Sequence, residues 1–265
     1  TLEFVMTNTP NENWAAADSE IPVSTIKDAV IVAVPYIDKG DRTFTDSNQL
    51  AIKAWDTNAK IYYTLDGSKA TVNSMLYTEE FTISESLTLK AIAVSGGVSS
   101  KEITAEFTKI PKGRSIELFT EYGSHYSAGG DKALIDHLKG AKNYMTGSWQ
   151  GYQGVNVEAI VDLNKITSIK DLSIGFLQDW NAWIFMPESV TYFTSIDGKN
   201  FTKLGVVLNQ VDETESGVIL QDFSLKTNTK TRYIKVIAKN RKYNPDWHRA
   251  PGDICWIFAD EVSFR

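Results

Sequence analysis

The sequence predicts an all-β protein in which a small antiparallel sandwich precedes a larger jelly roll. Short apolar runs recur along the 265 residues, and several alternate with polar residues at the period of a half-buried strand. Turn-forming pairs, such as Asp66-Gly67 and Gly96-Gly97, separate the runs in the first half. Few stretches have the spacing of an amphipathic helix, so the layers are expected to be sheets.

The composition is ordinary for a globular protein and excludes some partners. Hydrophobic residues make up 42% of the chain and charged residues 23%, with a net charge of −6. Nucleic acid is disfavoured, because phosphate binding needs clustered Lys and Arg. Membrane insertion is not expected, since no apolar run approaches the roughly 20 residues that span a bilayer. Cys255 is the only cysteine, and its apolar surroundings predict an inert core thiol.

Three regions follow one another along the chain. Residues 1–28 combine a strand-like run, LEFVM, with a polar linker. Residues 29–110 contain five strand-like runs: VIVAVPYI, LAIKAW, KIYYTL, LTLKAIAV and EITAEF. After the hinge KIPKGR, residues 115–265 add further strands that include SVTYFTSI, VILQDFSL, RYIKVIAKN and CWIFADEVSF. This density of short strands predicts a sandwich followed by a jelly roll.

The stretch 147–185 concentrates tryptophans, glutamines and a carboxylate near predicted strand ends. An alternating strand over 155–163 and a second over 172–176 lead into Gln178, Trp180 and Trp183. Such a mixture suits a sugar, because the C–H face of a pyranose stacks on an indole while its hydroxyls take hydrogen bonds from polar groups. The alternative interpretation is that these tryptophans are core residues.

Two segments of the first half resemble parts of known glycosidases. Ile61–Val94, with IYYTLDGS and TLKAIAV, resembles the immunoglobulin-like domain at the C-terminus of chitobiases and hexosaminidases, which implies a spacer sandwich. Met6, Pro10 and Asn11 have the spacing found at the end of the catalytic region of exo-α-mannosidases of glycoside hydrolase family ninety-two. That resemblance implies that residues 1–28 are the end of an upstream catalytic region and a linker.

The second half resembles the discoidin-like, or coagulation-factor type C, domain. The matching segments are ALID, VDL, SIDGKNF, RYIKV and DEVSF, in that order. The resemblance implies a galactose-binding-like jelly roll, of the kind that includes carbohydrate-binding module family thirty-two, with its sugar site on loops at one end. Carried onto this chain, the site residues are Gln150, Tyr152, Gln178, Trp180, Trp183, Trp247, His248 and Arg249. Trp247 is then the stacking platform, His248 a donor to a sugar oxygen, and Arg249 a clamp for hydroxyls.

The same resemblance implies one structural calcium ion. Asp136 and Glu261 supply side-chain oxygens, and backbone carbonyls complete an all-oxygen shell near Ala133, Leu138 and Asp260. His137 stands where the family normally has glycine. The alternative is that Asp136 caps a turn and Glu261 is a surface acid.

The predicted function is that of a non-catalytic, carbohydrate-binding accessory fragment of an exported glycoside hydrolase. No metalloprotease, nucleophile-elbow or P-loop motif occurs in the chain. The fragment is expected to hold its own upstream catalytic domain near glycans, in the periplasm, at the outer surface or as a secreted protein. An α-mannosidase is the first choice of parent and a β-N-acetylhexosaminidase the alternative. A protein- or cell-surface-interaction module is the rival hypothesis.

Overall fold

Strands make up most of the regular structure in the computed structural model, which describes residues 31–265. Their arrangement confirms the predicted all-β class. The chain divides into two compact units: the first holds the described residues up to Arg42 together with Ser47–Phe107, and the second holds Thr43–Asp46 with Thr108–Arg265. The strand and linker predicted within residues 1–28 lie outside the described residues, and the domain limits 29–110 and 115–265 stay predictions.

Residues 36–109 form two sheets of short strands. In chain order these are β1 (Tyr36–Lys39), β2 (Thr43–Phe44), β3 (Asn48–Lys53), β4 (Lys60–Thr64), β5 (Met75–Leu76), β6 (Phe81–Ile83), β7 (Leu87–Ser95), β8 (Val98–Ser99) and β9 (Ile103–Lys109). One sheet has the order β1-β3-β6, and the other β2-β9-β7-β4-β5 with β8 against β7. The first strand begins only at Tyr36, later than predicted, since Pro35 before it has no N–H for a ladder hydrogen bond.

The second unit is a jelly roll of seven strands among the described residues. These are β10 (Ser115–Leu118), β11 (Gln150–Gln153), β12 (Val157–Gln178), β13 (Ser189–Ser195), β14 (Thr202–Leu208), β15 (Ile219–Lys239) and β16 (Trp256–Phe264). Their order is β11-β16-β12-β15-β13-β14, and β10 pairs with β12. Short 3₁₀ turns lie at Ala133–Ile135, Tyr144–Thr146 and Trp180–Ala182. No helix among residues 31–265 has the length and apolar character needed to cross a bilayer.

Two long strands replace four predicted short ones. β12 contains both predicted strands of the 147–185 stretch, and β15 joins VILQDFSL to RYIKVIAKN. The polar residues between these runs looked like loops, but they pair with each other across the ladder, with Thr167 opposite Thr231. Asn164 adopts a left-handed φ of 65°, within the segment where the pairing of β12 with β15 shifts in register between Asp162 and Thr167. The first part of β12 also pairs with β10 and the last part with β16.

Alternation along β12 buries the residues that the pattern predicted. Val157, Ala159, Val161 and Leu163 are all buried, whereas Val155 precedes the strand and is exposed. Cys255 is fully buried, as predicted for a core thiol, and burial raises the pKa of this thiol to about 11. Because these strand residues are buried in the core, the loops at the strand ends are the candidates for a functional site.

Candidate functional site

Four loops of the jelly roll meet at one end of the sheet, called the loop end below. Hydrogen bonds join these loops: Trp180 donates to the Glu215 carbonyl, Arg241 to Glu213, and the Asn240 N–H to Asn156 Oδ1. The loop end consists of residues 154–156, 179–188, 209–218 and 240–255. The tryptophans predicted to bind sugar all fall on its second and fourth loops.

The loop after β12 turns sharply and carries two of these indoles. Asp179 and Ile184 form an isolated bridge, with N–H···O distances of 3.0 and 3.1 Å. Between them, Trp183 adopts a left-handed φ of 58°, and its N–H donates to the Trp180 carbonyl at 3.0 Å. The Trp180 indole Nε1 donates to the Glu215 carbonyl at 3.0 Å. Both indoles are half-buried, so each presents only part of its ring to solvent.

Buried asparagines fix the loop 240–255. The Asn240 amide donates to the Val155 carbonyl at 2.9 Å, and its oxygen accepts the Lys242 N–H at 2.8 Å. Asn244 donates through its side chain to the Ala250 carbonyl at 3.0 Å. The loop is therefore held in shape before any ligand arrives, which reduces the ordering cost of binding.

His248 is a structural link between two loops. Its Nδ1 accepts the Ala250 N–H at 3.2 Å, and its Nε2 lies 2.8 Å from the Trp180 carbonyl. Because a carbonyl only accepts, Nε2 carries the proton and both ring nitrogens are used within the protein. The ring is 3% exposed. This corrects the prediction that His248 donates to a sugar oxygen: it positions the loop that carries Trp247.

Trp247 is the most accessible indole at the loop end. The residue is 42% exposed, and its Nε1 donates to Glu213 Oε1 at 2.8 Å. The other Glu213 oxygen is held by the Arg241 guanidinium. The Trp180 and Trp247 rings meet in a T-shaped contact at a centroid distance of 5.7 Å. Trp247 is thus an exposed ring in a fixed orientation, which is the geometry that sugar stacking requires.

The contacts of Glu213, the acid that orients Trp247, favour its charged form. The hydrogen bond from the Trp247 indole lowers the pKa of Glu213, and the hydrogen bond and charge of Arg241 lower it further. Sequence reasoning did not select Glu213 or Arg241, although both lie in polar loops between strands. The signal available was the acidic run DETE between two apolar strands, but nothing in it shows which acid meets an indole 34 positions away.

Arg249 lies at the surface beside Trp183. Its Nη2 donates to the Asn181 carbonyl at 2.6 Å, and its guanidinium carbon lies 5.2 Å from the centroid of the Trp183 ring. This cation–π contact orients the side chain, and the residue stays exposed to solvent. The structure therefore brings Trp180, Trp183, Trp247 and Arg249 together.

Gln150 and Tyr152 lie elsewhere and are corrected as site residues. Both are fully buried on β11. The Tyr152 hydroxyl donates to Gln150 Oε1 at 2.8 Å, and the Gln150 amide donates to the Gly130 carbonyl at 2.8 Å. Since the pair satisfies its hydrogen bonds inside the core, neither side chain reaches a surface ligand. Burial also raises the pKa of the Tyr152 phenol.

Gln178 is also buried, but one of its polar atoms has no partner. Among the described residues, three buried side-chain atoms lack a hydrogen bond: Gln178 Oε1, Trp183 Nε1 and Asn244 Oδ1. All three belong to the loop end or to the strand end that leads into it. An unpaired buried polar atom costs about 1–3 kcal/mol, so their concentration at one end of the domain points to a place where ligand or water completes the structure.

Hydrogen bonding links the segment that was predicted to hold calcium to Glu261 on β16. The His137 N–H donates to Glu261 Oε2 at 2.9 Å, and the Leu138 N–H donates to Asp136 Oδ1 at 2.8 Å. Burial raises the pKa of Glu261 to about 8, and the charges of Asp136 and Asp260 raise it as well. His137 has a φ of 66°, so it adopts the left-handed conformation for which glycine is the usual residue.

The donor set fits a hard cation in its chemistry. Glu261 is 4% exposed, and a carboxylate buried beside other acids is stabilised by a nearby cation. The Asp260 side chain takes other partners, since it accepts the Gly140 N–H at 3.0 Å and lies 3.6 Å from Lys139 Nζ. Within residues 31–265 no group of three or more His, Cys, Asp or Glu side chains is arranged to hold a metal. Two carboxylates with backbone oxygens, including those of Ala133 and Leu138, stay the predicted shell.

Two family models match the chain. The chitobiase/β-hexosaminidase C-terminal domain matches residues 39–105, and the F5/8 type C domain matches residues 115–250. Neither match includes residues 2–11, so the resemblance of that segment to α-mannosidases has no support here. No curated protein matches the chain.

Several solved structures are similar to the chain at low identity. A CBM32 module from a family 31 glycoside hydrolase of Clostridium perfringens is 18% identical and covers 58% of this chain and 95% of its own, with a TM-score of 0.37. The C-terminal domain of a chitobiase from Bacteroides fragilis is 17% identical, covering 57% and 95%, with a TM-score of 0.36. Another C. perfringens CBM32 module, solved in complex with GalNAc-β-1,3-galactose, is 17% identical, covering 57% and 94%, with a TM-score of 0.36. The F5/8 type C model matches more than half of the chain, and the chain therefore belongs to the F5/8 type C domain family.

Proposed function

We propose that the chain is a carbohydrate-binding accessory region of an exported glycoside hydrolase and that glycans bind at its loop end. The observation that carries the proposal is the exposed ring of Trp247, held by Glu213 and by its contact with the Trp180 ring. A pyranose stacks on such a ring without ordering it first. Arg249 lies on the same loop as Trp247, and its exposed guanidinium is expected to donate hydrogen bonds to sugar hydroxyls.

A glycan array tests this proposal with the chain as it stands. The expected result is selective binding to a subset of glycans, with dissociation constants on the order of micromolar to millimolar, since one or two sugar rings bury little area. The same preparation is passed over vesicles of phosphatidylcholine and phosphatidylserine. Binding to vesicles without any array signal overturns the glycan proposal.

The vesicle measurement is included because the loop end also carries exposed apolar residues. Val155, Tyr243 and Ile254 are exposed apolar residues of the loop end, and Tyr243 and Ile254 form a bridge beside each other. Discoidin-like domains that bind lipid are expected to combine such residues with a basic collar. Here the surrounding charges are mixed, with Asp246 and Asp253 on the same loop as Arg249. Mixed charge favours sugar over an anionic membrane.

The parent enzyme is proposed from family likeness. The N-terminal segment favours an exo-α-mannosidase, and the match of residues 39–105 to a chitobiase/β-hexosaminidase C-terminal domain favours a β-N-acetylhexosaminidase. In either case the first unit serves as a spacer, and the partner is the enzyme's own catalytic domain. The enzyme is exported, because the glycans that such enzymes act on are extracellular.

We expect the chain alone to hydrolyse no aryl glycoside. A glycosidase needs two carboxyl groups some ~5–9.5 Å apart, one of them with a raised pKa that lets it act as the acid. Glu213, the acid in contact with Trp247, has a lowered pKa because Trp247 and Arg241 stabilise its charge. Release of 4-nitrophenol from mannoside and N-acetylglucosaminide substrates is the measurement, and turnover that copurifies with the chain contradicts the prediction.

We further propose that one calcium ion stabilises the jelly roll, held by Asp136 and Glu261 with backbone carbonyls near Ala133, Leu138 and Asp260. Two features support it: the hard oxygen donors are brought together by the 3₁₀ turn and β16, and the Glu261 carboxylate is buried beside other acids. The ion has no part in sugar chemistry here. It neutralises buried charge and fixes the turn at His137.

A further inference from the structure

Strand β14 lies at the edge of the jelly-roll sheet and exposes two apolar side chains. It ends the strand order, so only one of its sides pairs with a strand among residues 31–265, and that strand is β13. Val206 is 39% exposed and Leu208 is 63% exposed. Both side chains stand on the same face of the sheet, because they are two positions apart. An open edge with apolar side chains is a template for pairing with another strand.

The features that protect an edge strand occur only in the first half of β14. Lys203 places a charge there, and the pairing with β13 shifts in register between Lys203 and Gly205, which leaves Leu204 as a bulge. The second half, residues 206–208, contains no charge, no proline and no bulge. Charges, prolines and bulges are the usual means by which an edge avoids pairing. The second half of β14 is therefore the part that is open to a partner.

The backbone groups that this half presents at the edge are those of Val206 and Leu208. The Asn209 N–H donates to the Glu188 carbonyl at 3.0 Å, so the backbone groups of Asn209 point toward β13. Successive residues of an antiparallel strand direct their N–H and C=O groups to opposite sides. Val207 therefore faces β13 as well, whereas Val206 and Leu208 face outward. Two N–H and two C=O groups are thus available to a neighbouring strand.

The two ends of β14 differ in charge. Lys199 and Lys203 are exposed at its start. The loop 209–218 after its end contains three acids and no Lys or Arg, and one of the acids, Asp212, is exposed. Opposite charges that meet across an interface favour association, and like charges oppose it. An antiparallel copy of the same strand brings the basic start of each strand to the acidic loop of the other, whereas a parallel copy brings like charges together.

We propose that β14 pairs with β14 of a second copy of this chain, antiparallel and centred on Val207, so that two jelly-roll sheets join edge to edge. The contact is isologous, and each pair therefore occurs twice about a twofold axis. Val206 lies opposite Leu208 of the second copy, and the two exchange both of their N–H···O=C bonds. The two pairs together make four hydrogen bonds and cover the exposed apolar side chains. Lys203 then lies beside the acidic loop 209–218 of the second copy.

Neighbouring registers fit less well. Outward-facing residues must lie opposite outward-facing residues, so the centre can move only to Val206 or Leu208. A pair centred on Val206 sets Leu208 against the bulge at Leu204, and a pair centred on Leu208 sets Val206 against the polar Gln210. Only the centre at Val207 places each exposed apolar residue opposite another one, and burial of apolar side chains is what fixes register.

The test measures self-association of the intact chain. The contact is smaller than the interface of a stable dimer, so we expect a dissociation constant on the order of 0.1–1 mM. Sedimentation velocity from about 10 µM to about 500 µM is then expected to show the mean mass rising from monomer toward dimer. NMR spectra over the same range locate the contact: the amide signals of Val206 and Leu208 are expected to shift most, because their N–H groups gain a hydrogen bond.

A substitution at Leu208 assigns the association to β14. Leu208→Lys removes an apolar contact and brings two like charges close together across the twofold axis, so we expect association to weaken about tenfold or more. Ile196→Lys is the matched control, because Ile196 is 62% exposed and lies in the turn before β14, outside the proposed contact. It adds the same charge to the chain and is expected to leave the association unchanged.

A charge reversal tests the antiparallel direction. Lys203→Glu is expected to weaken association about threefold or more, because attraction to the acidic loop becomes repulsion at both ends of the contact. Lys226→Glu, at an exposed lysine of β15, gives the same net charge and is expected to have no such effect. If Leu208→Lys fails to fold, this pair of variants and the two amide signals decide. A chain that stays monomeric over the whole concentration range overturns the inference, and so does a dimer that Leu208→Lys leaves intact.

Discussion

Replacing Trp247 with alanine is expected to remove detectable glycan binding while leaving the melting temperature of the jelly roll nearly unchanged. A central aromatic anchor typically contributes about 2 kcal/mol or more, which is roughly a 30-fold loss of affinity. For a glycan with a dissociation constant near millimolar, a loss of this size makes binding undetectable. The ring is 42% exposed, so its removal costs little packing, and Glu213 keeps Arg241 as a partner.

The matched control for this variant is Trp55→Ala. Trp55 is 84% exposed and lies in the first unit, so it has the same side chain without a role at the loop end. Isothermal titration calorimetry with the best array glycan measures both variants, and circular dichroism gives their melting temperatures. Full binding by Trp247→Ala shows that the site is elsewhere, and a large drop in its melting temperature shows that the ring is structural.

Calcium is expected to raise the melting temperature of the jelly roll by about 5–10 °C at pH 8. A ligand at a hundred times its dissociation constant contributes about 2.7 kcal/mol by mass action, and a domain of this size shifts by about 2–4 °C for each kcal/mol. Asp136→Asn and Glu261→Gln are expected to abolish the shift, because each removes a charged ligand. Differential scanning calorimetry with calcium or with chelator is the measurement.

The calcium effect is expected to depend on pH in a definite direction. Without metal, burial gives Glu261 a pKa of about 8 in the fold, above its ordinary value of 4.5. The folded state therefore binds the proton more tightly than the unfolded state, and metal-free stability falls as the pH rises from about 4.5 to about 8. Calcium binds the ionised carboxylate, so its stabilisation grows over the same range. A chelator that changes nothing at pH 8, where the effect is largest, contradicts the calcium proposal.

Periodicity predicted the core of the fold but not the length of its strands. The alternation from Val157 to Leu163 predicted the buried face correctly, because every second side chain of a half-buried strand faces the core. The polar residues around Thr167 and Thr231 looked like loops, and their pairing depends on each other across more than 60 positions. Single-sequence patterns contain no information about such partners, so two long strands were divided.

The candidate site was predicted in part for a related reason. Trp247 and Arg249 stand out because a polar, proline-flanked loop has no structural need of an exposed indole. Gln150 and Tyr152 are also a polar and an aromatic residue, but they point into the core, and only the pairing of β11 with β16 decides that orientation. Glu213 and Arg241 were missed because their contact joins two loops 28 positions apart.

The most direct test of glycan binding at the loop end is an NMR titration that follows the indole N–H signals of the seven tryptophans. Variants in which one tryptophan at a time is replaced assign the signals, and the best array glycan is the ligand. Binding at the loop end predicts that the Trp247 signal shifts most, that the Trp180 and Trp183 signals follow, and that the Trp55 signal stays in place. A saturating shift confined to Trp55, or saturation that leaves the Trp247 signal unmoved, contradicts it.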